Sequence, residues 1–259
     1  GQVLVHVHPD PEELGRVYRT DLALCCSPDE FAECAALWDT GAIIPFGAGA
    51  EAHREWLEWA SPKPSGAALD LGQCVAAMRE ALPADTILCN GAGNFAGWWH
   101  RYWRYSAYPG QLAPTCGAMG YGLPAAVAAA LRFPERCVVA VAGDGDFLMN
   151  GQELATAAQY GANLLVVVVD NGAYGTIRMH QEREYPGRVS ATTLSNPDFA
   201  ALARAFGGWS ARAETTEAFI AALTEAKDRP GIRLIHAVTD LEHIAASGAT
   251  ISGLRSRPG

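Results

Sequence analysis

Apolar and polar residues alternate with two different periods along this 259-residue chain. Short apolar runs, which are typical of strands, are separated by longer segments in which apolar residues recur every three or four positions, as in helices. The run at residues 164–169 is apolar on both faces, as expected of a central parallel strand covered on both sides. The pattern predicts an α/β fold, a doubly wound parallel sheet with helices on both faces.

The individual elements follow from this pattern and from helix-start signals. Asn196 followed by Pro197 predicts the N-cap and the first residue of one helix. An aromatic-rich loop follows the first strand of the main domain. The predicted strands of this domain cover residues 86–90, 137–142, 164–169, 209–212 and 232–238, and the other predicted helices cover residues 70–82, 120–131, 152–160 and 216–227.

The first part of the chain carries a shorter pattern of the same kind, with strands predicted at residues 3–8 and 21–26 and a helix from Pro28 to about Trp38. Because this pattern starts at once and without a methionine, we expect the chain to be part of a longer protein. The predicted organisation is residues 1–38 as the remnant of a second α/β domain, 39–69 as a linker, 70–247 as the main domain and 248–259 as a polar C-terminal tail.

Composition narrows the functional classes. Acidic residues outnumber basic ones 28 to 19, a net charge of −9, which argues against binding to nucleic acid or to an anionic membrane. No apolar stretch is long enough to span a bilayer, and the start has no secretion signal. The seven cysteines are irregularly spaced and indicate neither a disulfide framework nor a zinc site. We expect a cytoplasmic protein.

Polar residues follow two of the predicted strands at the edge where parallel sheets bind ligands. Gly143-Asp144-Gly145 follows one strand, and Asp170-Asn171 follows the next, so that Asp144 and Asn171 are 27 residues apart, about one βαβ unit. Carboxylate and amide oxygens suit Mg²⁺, and flanking glycines let backbone amides approach an anion. We also expect the N-terminus of a helix near Gly151 to face this anion. The sequence therefore predicts a site for Mg²⁺ and a diphosphate.

This pair of motifs resembles the signature of thiamine diphosphate enzymes, which is Gly-Asp-Gly, a spacer and then two asparagines. Here the spacer is followed by Asp170-Asn171. Within this family, the chain resembles the acetolactate-synthase-like branch. The resemblance covers the whole chain and implies that residues 70–247 form the diphosphate-binding domain and that residues 1–38 end the central domain. It implies thiamine diphosphate and Mg²⁺ as cofactors.

The same resemblance implies roles for particular residues. Asp144 and Asn171 would bind Mg²⁺ through their side chains and Ala173 through its carbonyl oxygen, while Gly145 and Asp146 would offer backbone amides to the diphosphate. The expected cofactor-binding set is Asn94, Gly117, Met119, Gly143, Asp144, Gly145, Asp146, Asn171, Ala173, Tyr174 and Gly175.

A second segment, Gly117-Ala118-Met119-Gly120-Tyr121-Gly122-Leu123-Pro124, is similar to the family's loop around the middle of the cofactor. The resemblance implies that Met119 bends the cofactor and that the Gly117 carbonyl accepts a hydrogen bond from its amine, and we assign these two residues to catalysis. Three residues depart from the family pattern: Phe95 stands in place of a usual histidine, Asp146 in place of a small residue and Asp170 in place of asparagine. An acidic side chain at residue 146 would repel a diphosphate unless it points away.

The activity implied by the resemblance is decarboxylation or ligation of 2-oxo acids, a lyase or transferase reaction. The family's activating glutamate comes from a pyrimidine-binding domain of another subunit, so we expect a homodimer or homotetramer and an inactive isolated fragment. The alternative is a noncatalytic module that binds Mg²⁺ and phosphate and retains the fold.

Other residues have simpler interpretations. His6 and His8 fit a solvent-facing strand better than a metal pair. The aromatic segment 98–105 favours packing or a subunit interface over base stacking. His180 fits either the substrate pocket or a helix surface, and Cys116 lacks a paired base.

Overall fold

The computed structural model describes residues 2–38 and 48–256, which divide into two compact units, residues 1–55 and 56–259. The first unit contains strands β1 (Val5–His8) and β2 (Leu22–Cys25), paired in parallel, and helix α1 (Pro28–Ala36). Ser27 caps α1 with a complete capping box, in which Glu30 binds back to the Ser27 amide. The predicted strand, strand and helix of this segment are therefore present.

The predicted linker, residues 39–69, includes the division between the two units but is partly helical. Helix α2 spans Ala48–Trp59, and residues 39–47 lie outside the described part of the chain. The composition of this segment suggested a connection because of its glycines and prolines, whereas the residues of α2 itself, such as Glu51, Glu55 and Leu57, are good helix formers.

The second unit is built on a six-stranded parallel sheet with the order β4-β3-β5-β6-β8-β7. The strands are β3 (Ile87–Asn90), β4 (Gln111–Leu112), β5 (Val138–Gly143), β6 (Leu164–Asp170), β7 (Trp209–Ala213) and β8 (Ile232–Val238). The helices are α3 (Leu71–Ala81), α4 (Ala96–Tyr102), α5 (Gly122–Arg132), α6 (Asp144–Asn150), α7 (Leu154–Gln159), α8 (Gly175–Glu184), α9 (Phe199–Ala205), α10 (Thr216–Ala226) and α11 (Ile251–Arg255).

Alternate residues of the central strands enter two separate apolar cores, one on each face of the sheet. On β6, Leu164, Val166 and Val168 pack in one core, and their neighbours Leu165, Val167 and Val169 pack in the other. Helices α3, α4 and α10 contribute to the second of these cores, whereas α5 and α9 contribute to the first. This arrangement confirms the predicted doubly wound α/β fold with helices on both faces.

Three parts of the second unit differ from the sequence-based prediction. The aromatic-rich segment contains helix α4 and the short edge strand β4. A separate, unpredicted helix, α6, starts at Asp144 directly after β5, and the helix expected near Gly151 follows it as α7, which begins at Leu154. The C-terminal tail contains α11, whose Ile251 and Leu254 are buried in a small apolar cluster. These segments become ordered by packing that their local sequence does not reveal.

No helix in residues 2–38 and 48–256 is long and apolar enough to cross a membrane. The carboxyl ends of β3 and β5 mark the point where the order of the sheet changes direction. After β3 the chain passes to β4 at one edge, and after β5 it passes to β6 on the opposite side. Sheets of this type bind ligands at such a switch point.

Candidate functional site

A cavity of about 250 Å³ opens at this switch point. It is lined by the loops that follow β3, β5 and β6 and by the segment 117–119. The structure brings all eleven residues of the expected cofactor-binding set to the lining of this one cavity: Asn94, Gly117, Met119, Gly143, Asp144, Gly145, Asp146, Asn171, Ala173, Tyr174 and Gly175. The volume is close to the lower end of the range for small-molecule sites.

Asp144, the first residue of α6, lies at the centre of the polar wall. One oxygen, Oδ1, accepts a hydrogen bond from the Gly145 amide at 2.9 Å. The other, Oδ2, accepts from the Ala173 amide at 3.2 Å, and Asn171 Oδ1 accepts from that same amide at 3.1 Å. The shared amide therefore holds oxygens of Asp144 and Asn171 close together at the ends of β5 and β6.

Asn196 connects this carboxylate to a second one. Its Nδ2 donates to Asp144 Oδ2 and to Asp170 Oδ1, both at 2.8 Å. The sequence prediction of Asn196 as a helix N-cap is therefore wrong: α9 begins at Phe199, and Asp198 caps it by accepting from the Ala201 amide. Asn196 and Asp198, on either side of Pro197, are both residue types that commonly cap helices. Asp198 caps α9, whereas Asn196 binds the two carboxylates instead.

Asp170 stands where the family pattern has asparagine, and its side chain contacts a histidine. Its Oδ2 lies 2.8 Å from Nε2 of His236, a buried residue on β8 that also packs edge-on against the ring of Phe199. The sequence analysis missed both His236 and the bridging role of Asn196. The one signal in the sequence was the unusual acid at residue 170. A carboxylate that is partly removed from water needs stronger hydrogen-bond donors than the neutral amide of asparagine.

The two linked carboxyls differ in their acidity. Burial raises the pKa of Asp144 to about 6. Burial also acts to raise the pKa of Asp170, but hydrogen bonds from His236, Asn196 and the Gly172 amide outweigh it and leave that pKa below its ordinary value. Asp170 is therefore the ionised partner of His236, and a divalent cation at Asp144 would favour the ionised form of that carboxyl as well.

Asp146 points its side chain at two backbone amides. Its Oδ1 accepts from Ala92 at 3.2 Å and from Gly120 at 2.7 Å, while Oδ2 has no hydrogen-bond partner among the described residues. Only 3% of the residue is exposed, and burial raises its pKa to about 6. The extra carboxylate therefore lies against the loops after β3 and before α5.

Asn94 lines the cavity, and its side chain is hydrogen-bonded to two other residues of the lining. Its Oδ1 accepts from the Thr176 hydroxyl at 3.0 Å, and its Nδ2 donates to the Ile244 carbonyl at 3.0 Å. These bonds tie the loop after β3 to α8 and to the C-terminal segment. The expected role of Asn94 in cofactor binding stays a prediction.

The aromatic segment is less exposed than its composition suggested. Trp99, Tyr102 and Trp103 are buried in the core of the second unit, and Arg101 and Arg104 stack on Trp59 and Trp56. This segment therefore packs to a large extent within its own domain, and the subunit interface suggested for it stays a prediction. The sequence could not separate these outcomes because both bury large aromatic side chains.

The other candidates lie away from the cavity lining. His180 is on the exposed face of α8 and contacts Arg183, and Cys116 is an exposed thiol. His6 Nδ1 accepts from the Gly15 amide at 3.3 Å. Within residues 2–38 and 48–256, no three His, Cys, Asp or Glu side chains form a group that could hold a metal ion.

The fold and cavity together define a parallel α/β protein with a polar ligand site at the switch point of its sheet. Residues 91–237 match the family model described as thiamine pyrophosphate enzyme, C-terminal TPP binding domain. The chain therefore belongs to the thiamine pyrophosphate-dependent enzyme family, and its second unit carries the family's C-terminal cofactor-binding domain. The resemblance identified in the sequence is confirmed.

Curated relatives include several acetolactate synthases. The large subunit of acetolactate synthase from Parasynechococcus marenigrum is 33% identical over 222 residues, which cover 79% of this chain and 34% of that protein. The isozyme 2 large subunit from Escherichia coli is 30% identical over 93% of this chain and 44% of its own length. The chain thus spans less than half the length of these relatives.

A solved structure agrees with these matches. The thiamine diphosphate-dependent 4-hydroxybenzoylformate decarboxylase of Rhodococcus jostii RHA1 superposes with a TM-score of 0.76 at 27% identity. The similarity covers 93% of this chain and 44% of that one. Both units of the chain are therefore largely included in the match.

Proposed function

We propose that the protein to which this chain belongs is a thiamine diphosphate- and Mg²⁺-dependent enzyme that decarboxylates or ligates 2-oxo acids. The family membership supports the cofactor. The observation that carries the rest is the convergence of Asp144 and Asn171 on the Ala173 amide at the switch point. Hard oxygen atoms therefore lie beside backbone amides, and this arrangement supports binding of a diphosphate together with a metal ion.

The residues present fit Mg²⁺. Carboxylate, amide and carbonyl oxygens are the ligands it prefers, and an incomplete protein set leaves room for phosphate oxygens. Asp144 Oδ2 accepts one hydrogen bond from the Ala173 amide and one from Asn196 Nδ2, and together they fix the orientation of the carboxylate. In this proposal Asp144, Asn171 and the Ala173 carbonyl hold the ion, and the Gly145 and Asp146 amides face the diphosphate.

Bound thiamine diphosphate supplies an electron sink that stabilises negative charge on the carbon left by decarboxylation. The chain contributes orientation and exclusion of water. Met119 stands at the cavity with 37% of its surface exposed, where its side chain can shape the bound cofactor. Phe95, Trp98 and Ile244 provide apolar surface around the polar wall and reduce the access of water.

The experiment is a titration of the full-length protein with thiamine diphosphate, with and without Mg²⁺, followed by measurement of CO₂ release from a panel of 2-oxo acids. Mg²⁺-dependent binding together with CO₂ release supports the enzyme. Binding without release from any 2-oxo acid would favour the noncatalytic alternative. An absence of Mg²⁺-dependent binding would contradict the proposed site.

We further propose that another subunit completes the active site and that the enzyme is a homodimer or homotetramer. Apolar side chains remain exposed around Gly120, beside the cavity: Met119, Tyr121, Leu148 and Met149. A surface of this kind suits a subunit contact. Light scattering across a dilution series, with activity assayed in parallel, should show dissociation and loss of activity together, and a fully active monomer would contradict the idea.

A further inference from the structure

We propose that Asp146 and Asn150 are positioning residues that fix the Met119 loop, residues 117–122, to helix α6. The effect on the cofactor rests on the proposed function, whereas the contacts do not. The two side chains are four residues apart and therefore project from the same face of α6. The inference is that α6 connects the metal side of the cavity to the residue that shapes the cofactor.

Gly120 is held through both of its backbone groups. Its N–H donates to Asp146 Oδ1 at 2.7 Å, and its carbonyl accepts from Asn150 Nδ2 at 2.9 Å. A φ of +82° places Gly120 in the left-handed region, and a Cβ added there would lie 2.7 Å from Met149 Cβ. Only glycine fits this close approach, and Met119 precedes it directly in the chain.

The same oxygen of Asp146 also holds the loop after β3. It accepts from the Ala92 amide at 3.2 Å, and a Cβ on Gly91 would lie only 2.0 Å from it. One buried carboxylate thus joins two loops that both line the cavity. Burying a charge is costly, and these two amides offset part of that cost.

The consequence concerns how the two sides of the cavity communicate. Asp144 is the first residue of α6 and Asp146 is the third. A group that fixes Asp144 therefore fixes the helix that holds Gly120. The small residue expected at position 146 from the family resemblance could not reach both amides, so this linkage distinguishes this chain from that pattern.

The test measures hydrogen exchange at the Ala92 and Gly120 amides in the full-length protein without added cofactor. Asp146→Ser removes the shared acceptor, and we expect exchange at both amides to be about tenfold faster. Asp146→Asn keeps an acceptor oxygen and should restore exchange to near the wild-type rate. Unchanged exchange in Asp146→Ser, or a failure of Asp146→Asn to restore it, would overturn the linkage.

Asp198→Ser is the matched control, because Asp198 also accepts a backbone amide in this domain but contacts neither loop. It should leave both amides unchanged. If Asp146→Ser does not fold, Asn150→Ala tests the same link through the Gly120 carbonyl and should still accelerate exchange at Gly120. Equal exchange in Asn150→Ala and wild type would count against the proposal.

A second measurement separates positioning from general destabilisation. With saturating thiamine diphosphate and Mg²⁺, Asp146→Ser should lower turnover by a larger factor than it lowers cofactor affinity, and Asp146→Asn should recover turnover. Equal losses in both quantities would contradict a positioning role. If wild-type protein binds no cofactor, the proposed function fails, while the exchange result still decides whether the link exists.

Discussion

The two walls of the cavity are constructed differently. On the side of the proposed metal site, buried and half-buried polar side chains hold one another: Asn196 bridges Asp144 and Asp170, and His236 binds Asp170. On the opposite side, Met119 is partly exposed, and its loop is held through the backbone of Gly120. Contacts between side chains fix the wall that contains Asp144. The position of the wall that contains Met119 depends instead on α6, which holds Gly120.

The largest effect is expected from the centre of the metal side. Asp144→Ala removes the charged ligand of the proposed Mg²⁺ site, so Mg²⁺-dependent binding of thiamine diphosphate should fall by on the order of a hundredfold or more. Calorimetry with and without Mg²⁺ measures it. Asp144→Asn is the matched variant, because it keeps an acceptor oxygen without the charge, and wild-type affinity in it would disprove the role of that charge.

A smaller loss is expected when the bridge between the carboxylates is removed. Asn196→Ala leaves Asp144 and Asp170 without their shared donor, and the Mg²⁺ dependence of cofactor binding should weaken by about 10- to 100-fold. Titration with Mg²⁺ at fixed thiamine diphosphate measures this change. Asn163→Ala, at an exposed residue outside the cavity lining, should behave as wild type.

Met119→Ala tests the other wall. Because Mg²⁺ and the diphosphate supply most of the binding, turnover should fall by about tenfold or more while cofactor affinity changes little. Steady-state kinetics of the full-length protein, compared with calorimetry, separates the two quantities. The control is Ile220→Ala, which changes an exposed apolar residue on α10. Wild-type turnover in Met119→Ala would show that the two walls do not differ in this way.

The smallest effect is expected at a glycine between two proposed ligands. Gly172 has a φ of +67°, and a Cβ added there would contact nothing within 4 Å. Gly172→Ala should therefore lower the free energy of unfolding by about 1–2 kcal/mol through backbone strain alone. Chemical denaturation measures it. A larger decrease in the free energy of unfolding would show that the loop containing Asn171 cannot adjust to the added methyl group, although the space around Gly172 is open.

Much of the site could be predicted because its residues directly follow strands. The apolar runs at β5 and β6 indicated where those strands end, and the parallel arrangement brings Asp144 and Asn171 to the same edge. His236 could not be found in this way, since it lies within β8 and is 66 residues from its partner Asp170. The apolar pattern of a strand does not indicate which polar residue within it will contact a carboxylate on another strand.

The amino-acid sequence by itself determined the doubly wound sheet, the order of most elements and the location of the polar motif, because periodicity and strand-end position are local properties. Only the tertiary structure decided that Asn196 bridges two carboxylates instead of capping α9, that Trp99 and Trp103 enter the core, and that Asp146 joins two loops. Each of these outcomes depends on partners distant in the chain. Burial makes those partners necessary, since a polar group removed from water requires a hydrogen bond wherever the fold provides one.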